Sequence, residues 1–219
     1  MNKNIKEDVE RIRDRVALSA RRVKRDPDSI IIVAAVKNAE PDEIEECINA
    51  GIKIIGENRV QDAERKIIAV KKEAEWHMIG HLQTNKVNKA LKLFSMVQSV
   101  NNLHLVEAIQ KRAYKPLDVL VEVNTSSEES KFGVKPKDAL DFLQRIAHFD
   151  KINLRGLMTI GPLVGDPRQS FKLLYRLFCD AKELGFNMKY LSMGMTDDFE
   201  IAIEEGSNMV RVGRAIFQK

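Results

Sequence analysis

The feature that most constrains this chain is the alternation of short apolar runs with amphipathic helical segments. The first run, residues 30–37, is rich in β-branched residues and too short for most helices, so we predict a strand buried on both faces. Seven more strands are predicted at 52–56, 76–80, 96–100, 119–124, 154–160, 190–193 and 209–212, each followed by a helix. Eight such units predict an α/β fold, a closed parallel (β/α)8 TIM barrel, with an open doubly wound sheet as the alternative.

An extra amphipathic helix over residues 4–25 precedes the first strand. Its apolar positions Ile5, Val9, Ile12 and Val16 recur at spacings of three or four residues. We expect this N-terminal segment, 1–25, either to cover the bottom of the barrel or to pack alongside it. No linker, low-complexity stretch or shift of composition divides the chain, so we expect one domain over residues 1–219.

Composition and charge exclude several classes of protein. Hydrophobic residues make up 44% and charged residues 31%, with no apolar stretch of membrane-spanning length and no apolar signal-peptide core at the N-terminus. Cys47 and Cys179 lack metal-ligand spacing, so we expect reduced thiols, no metal site and a cytoplasmic protein. The net charge of +4 is dispersed and no nucleic-acid-binding motif accompanies it, so we expect neither a nucleic-acid nor a membrane partner.

Lys37 stands at the carboxyl end of the first predicted strand. The active face of a parallel barrel is the ring of carboxyl strand ends, which makes Lys37 a candidate site residue. Taken alone, it is more simply explained as a lysine that reaches solvent where the strand ends. If it is instead partly desolvated, its pKa falls and the amine becomes a nucleophile that forms Schiff bases with carbonyl compounds.

Two glycine-containing turns follow the seventh and eighth strands. Ser192-Met193-Gly194-Met195-Thr196 and Val212-Gly213-Arg214-Ala215 each precede a predicted helix. Glycine lets backbone N–H groups approach an anion, and a helix N-terminus favours negative charge; simple N-capping by Thr196 is the alternative. The turns predict a phosphate site, and strand eight adjoins strand one in a closed barrel. A ligand with an aldehyde and a phosphate would therefore reach both Lys37 and the turns, and pyridoxal 5′-phosphate (PLP) is such a ligand.

Several longer segments resemble the pyridoxal phosphate homeostasis protein family, and they extend from the first strand to the end of the chain. They are Ala35-Val36-Lys37, Gly56-Glu57-Asn58-Arg59-Val60-Gln61, residues 76–86 (WHMIGHLQTNK), Lys131-Phe132-Gly133, Gly156-Leu157-Met158-Thr159, residues 192–199 (SMGMTDDF) and residues 210–217 (VRVGRAIF). Two departures from the family pattern are Thr196, where serine is common, and Gln218, where glycine is common.

The resemblance implies a fold-type III PLP protein with a barrel like the N-terminal domain of bacterial alanine racemase. It implies that PLP is bound as an internal aldimine on Lys37, that Arg211 lies near the cofactor, and that Asn58 and His81 form the wall beside the ring. It also implies phosphate contacts at Ser192, Thr196, Gly213 and Arg214. The cofactor-binding residues predicted from the turns and the resemblance together are Lys37, Asn58, His81, Ser192, Gly194, Thr196, Arg211, Gly213 and Arg214.

We predict a PLP-binding protein without robust catalytic turnover and name no catalytic residue. Arg211 has no acceptor, so beside the pyridine nitrogen it would leave that nitrogen unprotonated and the electron sink weak. In alanine racemase a tyrosine from another domain supplies a second base. This chain ends five residues after Arg214, so we expect no such domain. Its tyrosines, Tyr114, Tyr175 and Tyr190, are not predicted at carboxyl strand ends.

The expected function is intracellular PLP (vitamin B6) homeostasis. Lys37 would hold the cofactor reversibly, and PLP-dependent apoenzymes are candidate recipients for a protein that we expect to be a monomer or a weak dimer. The main alternative is a fold-type III PLP enzyme, such as a weak amino-acid racemase that pairs Lys37 with an unidentified base. A cofactor-free Schiff-base aldolase-type barrel and a protein–protein interaction module remain as further alternatives.

Overall fold

A closed barrel of parallel strands forms the centre of the protein in a computed structural model that describes residues 4–126, 128 and 132–217. Neighbouring strands pair in chain order, and the last pairs back to the first, which confirms the predicted (β/α)8 barrel. The strands are β1 (Ile31–Ala35), β2 (Ile54–Glu57), β3 (Glu75–Met78), β4 (Met96–Val100), β5 (Leu117–Glu122), β6 (Ile152–Met158), β7 (Tyr190–Ser192) and β8 (Met209–Val212).

Helices surround the barrel in the described part of the chain. They are α1 (Ile5–Arg22), α2 (Pro41–Asn49), α3 (Val60–Ala69), α4 (Val87–Leu93), α5 (Leu103–Arg112), α6 (Ala139–Ile146), α7 (Arg168–Glu183), α8 (Phe199–Glu204) and α9 (Arg214–Phe217). Short 3-10 turns at Pro27–Ser29, Thr84–Lys86 and Pro136–Asp138 precede β1, α4 and α6. The alternation read from the sequence is therefore present over the whole barrel.

Two apolar layers hold the barrel and its helices together. The larger lies between strands and helices and includes fully buried Ile44, Leu105 and Phe171. The smaller fills the barrel interior with side chains such as Leu120 and Met158, both 0% exposed. Because these side chains fill the interior, the barrel is a packed core rather than a channel. Each fully buried side chain of this size contributes about 1.5–3 kcal/mol of transfer free energy.

The N-terminal helix packs alongside the barrel, which is the second of the two expected placements. Helix α1 contacts α8, α2 and α9, and its buried face includes Val9 and Ile12. Arg15 donates two hydrogen bonds to Glu200 on α8, at 2.9 and 3.0 Å. The helix ends at Arg22 rather than at residue 25, because Lys24 adopts a left-handed conformation with φ of 56°.

Strand closure places the carboxyl ends of β1 and β8 side by side. In the ladder, Val33 on β1 lies opposite Arg211 on β8 and Ile54 on β2. Strand β1 ends at Ala35, two residues before Lys37, which therefore lies in the loop beyond the strand. Lys37 and Arg211 consequently approach the same cavity from adjacent strands.

Both cysteines are free thiols. Cys47 is fully buried on α2, and burial raises the pKa of its thiol to about 12. Within the described residues, no helix combines the length and apolarity needed to cross a bilayer. The same residues contain no cluster of three or more histidine, cysteine or acidic side chains suited to a metal ion.

Candidate functional site

A cavity of about 300 Å³ lies at the carboxyl ends of β1, β2, β7 and β8. This volume is at the lower end of the roughly 300–1,000 Å³ typical of small-molecule sites. The described residues that line it include three cationic side chains and no carboxylate, which favours an anionic ligand. The lining residues are Ala35, Lys37, Asn38, Asn58, Met195, Thr196, Arg211, Gly213, Arg214 and Phe217.

Lys37 lines this cavity with an exposed side chain. Its exposure agrees with the simpler of the two explanations, a lysine that reaches solvent: β1 stops at Ala35, and Lys37 lies in the loop beyond it. The backbone around it is fixed, because the Val36 N–H donates to the Gly56 carbonyl oxygen at 2.9 Å. The amine is thus accessible while its attachment to the barrel is ordered.

A buried ion pair lies under the loop that carries Lys37. Lys66 on α3 donates from Nζ to Glu57 Oε2 at 2.6 Å and to the Val36 carbonyl oxygen at 2.5 Å, with a longer contact of 3.4 Å to the Lys37 carbonyl oxygen. The Glu57 side chain is 0% exposed, and its Oε1 accepts from the Asn58 N–H at 2.5 Å. The pair therefore connects the β1 loop to the β2 turn and positions Lys37 beside Asn58.

The turn after β7 depends on Gly194. Its φ of +96° lies in the left-handed region, and a Cβ there would come within 2.5 Å of the Ala202 Cβ on α8. Its carbonyl oxygen accepts from the Arg211 N–H at 3.0 Å, which ties the turn to β8. Gly194 therefore brings the turn close to the cavity while α8 packs against it.

Thr196 connects the two predicted phosphate turns. Its Oγ1 accepts from the Ala215 N–H at 3.4 Å, whereas Asp198 occupies the N-cap position of α8. Thr196 is thus not the cap of the helix that follows it, and its hydroxyl borders the cavity. Gly213 lies opposite, where a Cβ would sit 2.8 Å from the Ala35 carbonyl oxygen, so a side chain would push β8 away from β1.

Two arginines contribute positive charge to the cavity in different ways. Arg214 has an exposed side chain that forms an ion pair with Asp197. Arg211 is only 4% exposed and donates from Nη1 to Ser192 Oγ at 2.7 Å and from Nη2 to the Thr159 carbonyl oxygen at 2.8 Å. Burial lowers the pKa of Arg211 to about 10, and so its guanidinium remains a cation at neutral pH.

Ser192 and His81 are not among the residues that line this cavity. Ser192 is 0% exposed, and its hydroxyl donates to Gln98 Oε1 at 2.7 Å while it accepts from Arg211, so its phosphate contact stays a prediction. His81 lines a second cavity of about 690 Å³ and stacks on Phe132 with ring centroids 4.1 Å apart. Lys37 and Asn58 line both cavities, which makes the second one continuous with the first.

Sequence reasoning missed several residues that shape the site, namely Glu57, Lys66, Gln98 and Glu122. Gln98 is a polar side chain inside the apolar strand β4, whereas Glu57 and Glu122 are the last residues of β2 and β5. A polar residue within or at the end of an apolar strand was the available signal. Lys66 occupies a position on the buried face of α3, where an apolar residue would be expected. Of the motif positions, Lys131 and the departure at Gln218 lie outside the described residues.

Comparisons with known proteins agree with this geometry. Residues 8–219 match the family model for the alanine racemase N-terminal domain. The pyridoxal phosphate homeostasis protein of Aquifex aeolicus (strain VF5) is 37% identical over 98% of this chain and 97% of its own. A crystal structure from Bifidobacterium adolescentis, 38% identical, has a TM-score of 0.91 and covers 98% of this chain and 94% of that one. The structure of PipY from Synechococcus elongatus PCC7942 with PLP bound is 29% identical, with a TM-score of 0.81, and covers 94% and 99% of the two chains.

The buried ion pair gives a first prediction. Replacing Lys66 by Met leaves the Glu57 carboxylate buried and unpaired, so the free energy of unfolding should fall by about 3–5 kcal/mol in urea titrations. The double variant Glu57→Gln/Lys66→Met removes both charges and should recover part of this loss. The control Lys89→Met breaks an exposed pair with Glu64 and should cost at most about 1 kcal/mol. Equal losses for Lys66→Met and Lys89→Met would contradict the assigned role.

Glu122, at the end of β5, gives a prediction of pH dependence. Its carboxyl group is 6% exposed, and burial raises its pKa despite a hydrogen bond from Asn101 at 3.0 Å and the nearby Arg211 charge. Because the folded-state pKa is raised, Glu122 contributes to the free energy of unfolding in its protonated form. That contribution is fully present below the unfolded pKa of about 4.3 and is lost as pH rises through the folded pKa.

Glu122→Gln should therefore raise the free energy of unfolding at pH 7 relative to the parent protein, with the gain vanishing near pH 4. Urea titrations at both pH values measure this difference. The exposed Glu73→Gln variant should show no such dependence. Destabilisation of Glu122→Gln at pH 7, or a gain that does not change with pH, would show that burial is not the dominant influence on this carboxyl group.

Proposed function

Because this chain belongs to the pyridoxal phosphate homeostasis protein family, we propose that it binds PLP and takes part in intracellular PLP homeostasis. The observation that carries the proposal is the cavity of about 300 Å³ in which Lys37, Arg211 and Arg214 meet. An amine and two guanidinium groups, with no carboxylate among the described lining residues, match an aldehyde and a phosphate on one small molecule. The donor set therefore fits PLP.

Each lining group has a role in this proposal. When bound, PLP supplies an aldehyde that condenses reversibly with a primary amine and releases one water molecule. Lys37 supplies that amine. Thr196, Arg214 and the backbone of the Gly194 and Gly213 turns bind the phosphate, since a hydroxyl, a guanidinium and closely approaching N–H groups are its usual partners.

The remaining predicted residues position the ring. Arg211, which lines the cavity and is held by Ser192, would donate to the pyridine nitrogen. Asn58 borders the ring where the two cavities join, and His81 lies further out on the same side. These residues of β8 and of the β2 turn would together hold the cofactor ring.

We further propose that the protein holds and releases PLP without robust catalytic turnover. The positions of the tyrosines support this: Tyr114 follows α5 and is 99% exposed, Tyr175 lies within α7, and Tyr190 begins β7 at the opposite end of that strand from the cavity. A phenolic base facing Lys37 is therefore absent from the described residues. The exposure of Lys37 also favours release of the cofactor into solvent or to PLP-dependent apoenzymes. It does not favour catalytic proton transfer, which requires a site shielded from water.

Lys37→Ala tests the attachment point. Wild-type protein mixed with PLP should show the visible absorbance of amine-bound cofactor, and sodium borohydride should fix PLP to the peptide that contains Lys37. The variant should lose both signals, because alanine offers no amine to the aldehyde. Lys89→Ala, on the exposed face of α4, should behave like the wild type. Equal trapping of PLP by Lys37→Ala would refute the assignment.

Hydrogen exchange at the α-carbon of amino acids tests the absence of turnover. PLP-loaded protein is incubated in heavy water with a panel of amino acids, and deuterium incorporation is followed by NMR. We expect exchange no faster than with free PLP, because no described tyrosine faces Lys37. Rapid exchange that disappears in Lys37→Ala would instead establish the amino-acid racemase alternative.

A further inference from the structure

A continuous chain of hydrogen bonds crosses the barrel interior from the cavity toward its opposite end. Arg211 Nη1 donates to Ser192 Oγ at 2.7 Å, and the Ser192 hydroxyl donates to Gln98 Oε1 at 2.7 Å. Gln98 Nε2 lies 2.9 Å from His77 Nδ1, and His77 Nε2 lies 2.9 Å from Glu75 Oε1. These five residues, which we call the Arg211–Glu75 chain, belong to four strands, β3, β4, β7 and β8.

The middle of this chain is isolated from solvent. His77 is 1% exposed, and Gln98 and Ser192 are 0% exposed, while the Glu75 side chain is 48% exposed at the start of β3. Buried polar groups without partners cost about 1–3 kcal/mol each, so these side chains are stable in the core only as a connected set. Among the described residues, the only other side-chain partner of Gln98 is the Met209 sulfur, at 3.3 Å.

The two ends fix the direction of every hydrogen bond. Arginine can only donate, and an ionised carboxylate can only accept. The pKa of Glu75 is lowered, chiefly by its hydrogen bond with His77, so this end is an acceptor at neutral pH. Ser192 must then donate to the Gln98 oxygen, the Gln98 amide must donate to His77 Nδ1, and His77 must carry its proton on Nε2. One consistent arrangement of protons thus extends from the cation to the anion.

We propose that Gln98 and His77 are positioning residues that hold Arg211 for the cofactor through the Arg211–Glu75 chain. The inference rests on the proposed function, since it concerns how the Arg211 side chain is held in position at the PLP site. Arg211 is fixed by two contacts, Ser192 Oγ and the Thr159 carbonyl oxygen, and the chain decides how the first of these is oriented. If Gln98 cannot accept from Ser192, the hydroxyl turns and its acceptor site for Arg211 is misaligned.

Three substitutions separate this role from simple packing. Gln98→Met keeps the length of the side chain but removes both hydrogen bonds, and we expect the Kd for PLP to rise about tenfold or more. Gln98→Glu keeps an oxygen that accepts from Ser192. One added proton, shared between the introduced carboxylate and His77, keeps the link to His77 as well. The Kd of this variant should therefore stay within about threefold of the wild type. Met158→Leu changes an apolar residue of the same barrel interior and should leave Kd unchanged.

A second measurement does not depend on PLP. NMR of labelled histidine in the cofactor-free wild type should find His77 as the neutral tautomer with its proton on Nε2, and Gln98→Met should shift the Nδ1 resonance. A proton on Nδ1 in the wild type would overturn the directed chain. So would Gln98→Met protein that binds PLP like the wild type, whereas a wild type that binds no PLP at all would defeat the proposed function instead.

Discussion

The pairing of β1 with β8 is the interaction on which the site depends. Ile31 lies opposite Met209 and Val33 opposite Arg211, so the two ends of the barrel sequence meet along one ladder. This pairing brings an amine from the first βα loop and a guanidinium from the last strand to one cavity. Gly213 permits the close approach, because a Cβ there would collide with the Ala35 carbonyl oxygen. An open sheet with the same strands would separate these groups by its full width.

Arg211 imposes a second constraint, because a buried cation must be compensated. Its hydrogen bonds go to neutral oxygens of Ser192 and Thr159, and the carboxylates of Glu122 and Asp198 act on it at longer range. The packing that desolvates the arginine also desolvates both carboxyl groups, and this burial raises their pKa values. The guanidinium under the cavity therefore requires polar residues in the barrel interior. These residues stabilise the guanidinium, but their own burial costs desolvation free energy.

Much of the fold could be predicted from sequence because the evidence is local. Apolar runs and helical spacing gave the strands, their order and the helices, and the glycines after β7 and β8 marked the turns. The partners Lys66 of Glu57 and Gln98 of Ser192 were not predictable in this way, since the first pair joins a helix to the preceding strand and the second joins two strands across the barrel interior. The end of β1 was also misplaced, because the apolar run continues to Val36 while the strand ends at Ala35, two residues before Lys37.

The contrast between an exposed amine and an ordered cavity floor is suited to the reversible PLP binding that we propose. Below Lys37, the Glu57–Lys66 pair fixes the loop, and beside it the Arg211–Glu75 chain fixes the guanidinium. Binding therefore costs little reorganisation of the protein, which helps affinity without any need to enclose the ligand. The second cavity leaves the other side of Lys37 open to an incoming amine or to water. If the proposed function holds, a site that is ordered beneath its ligand and open above it would hold PLP while leaving the route of release unobstructed.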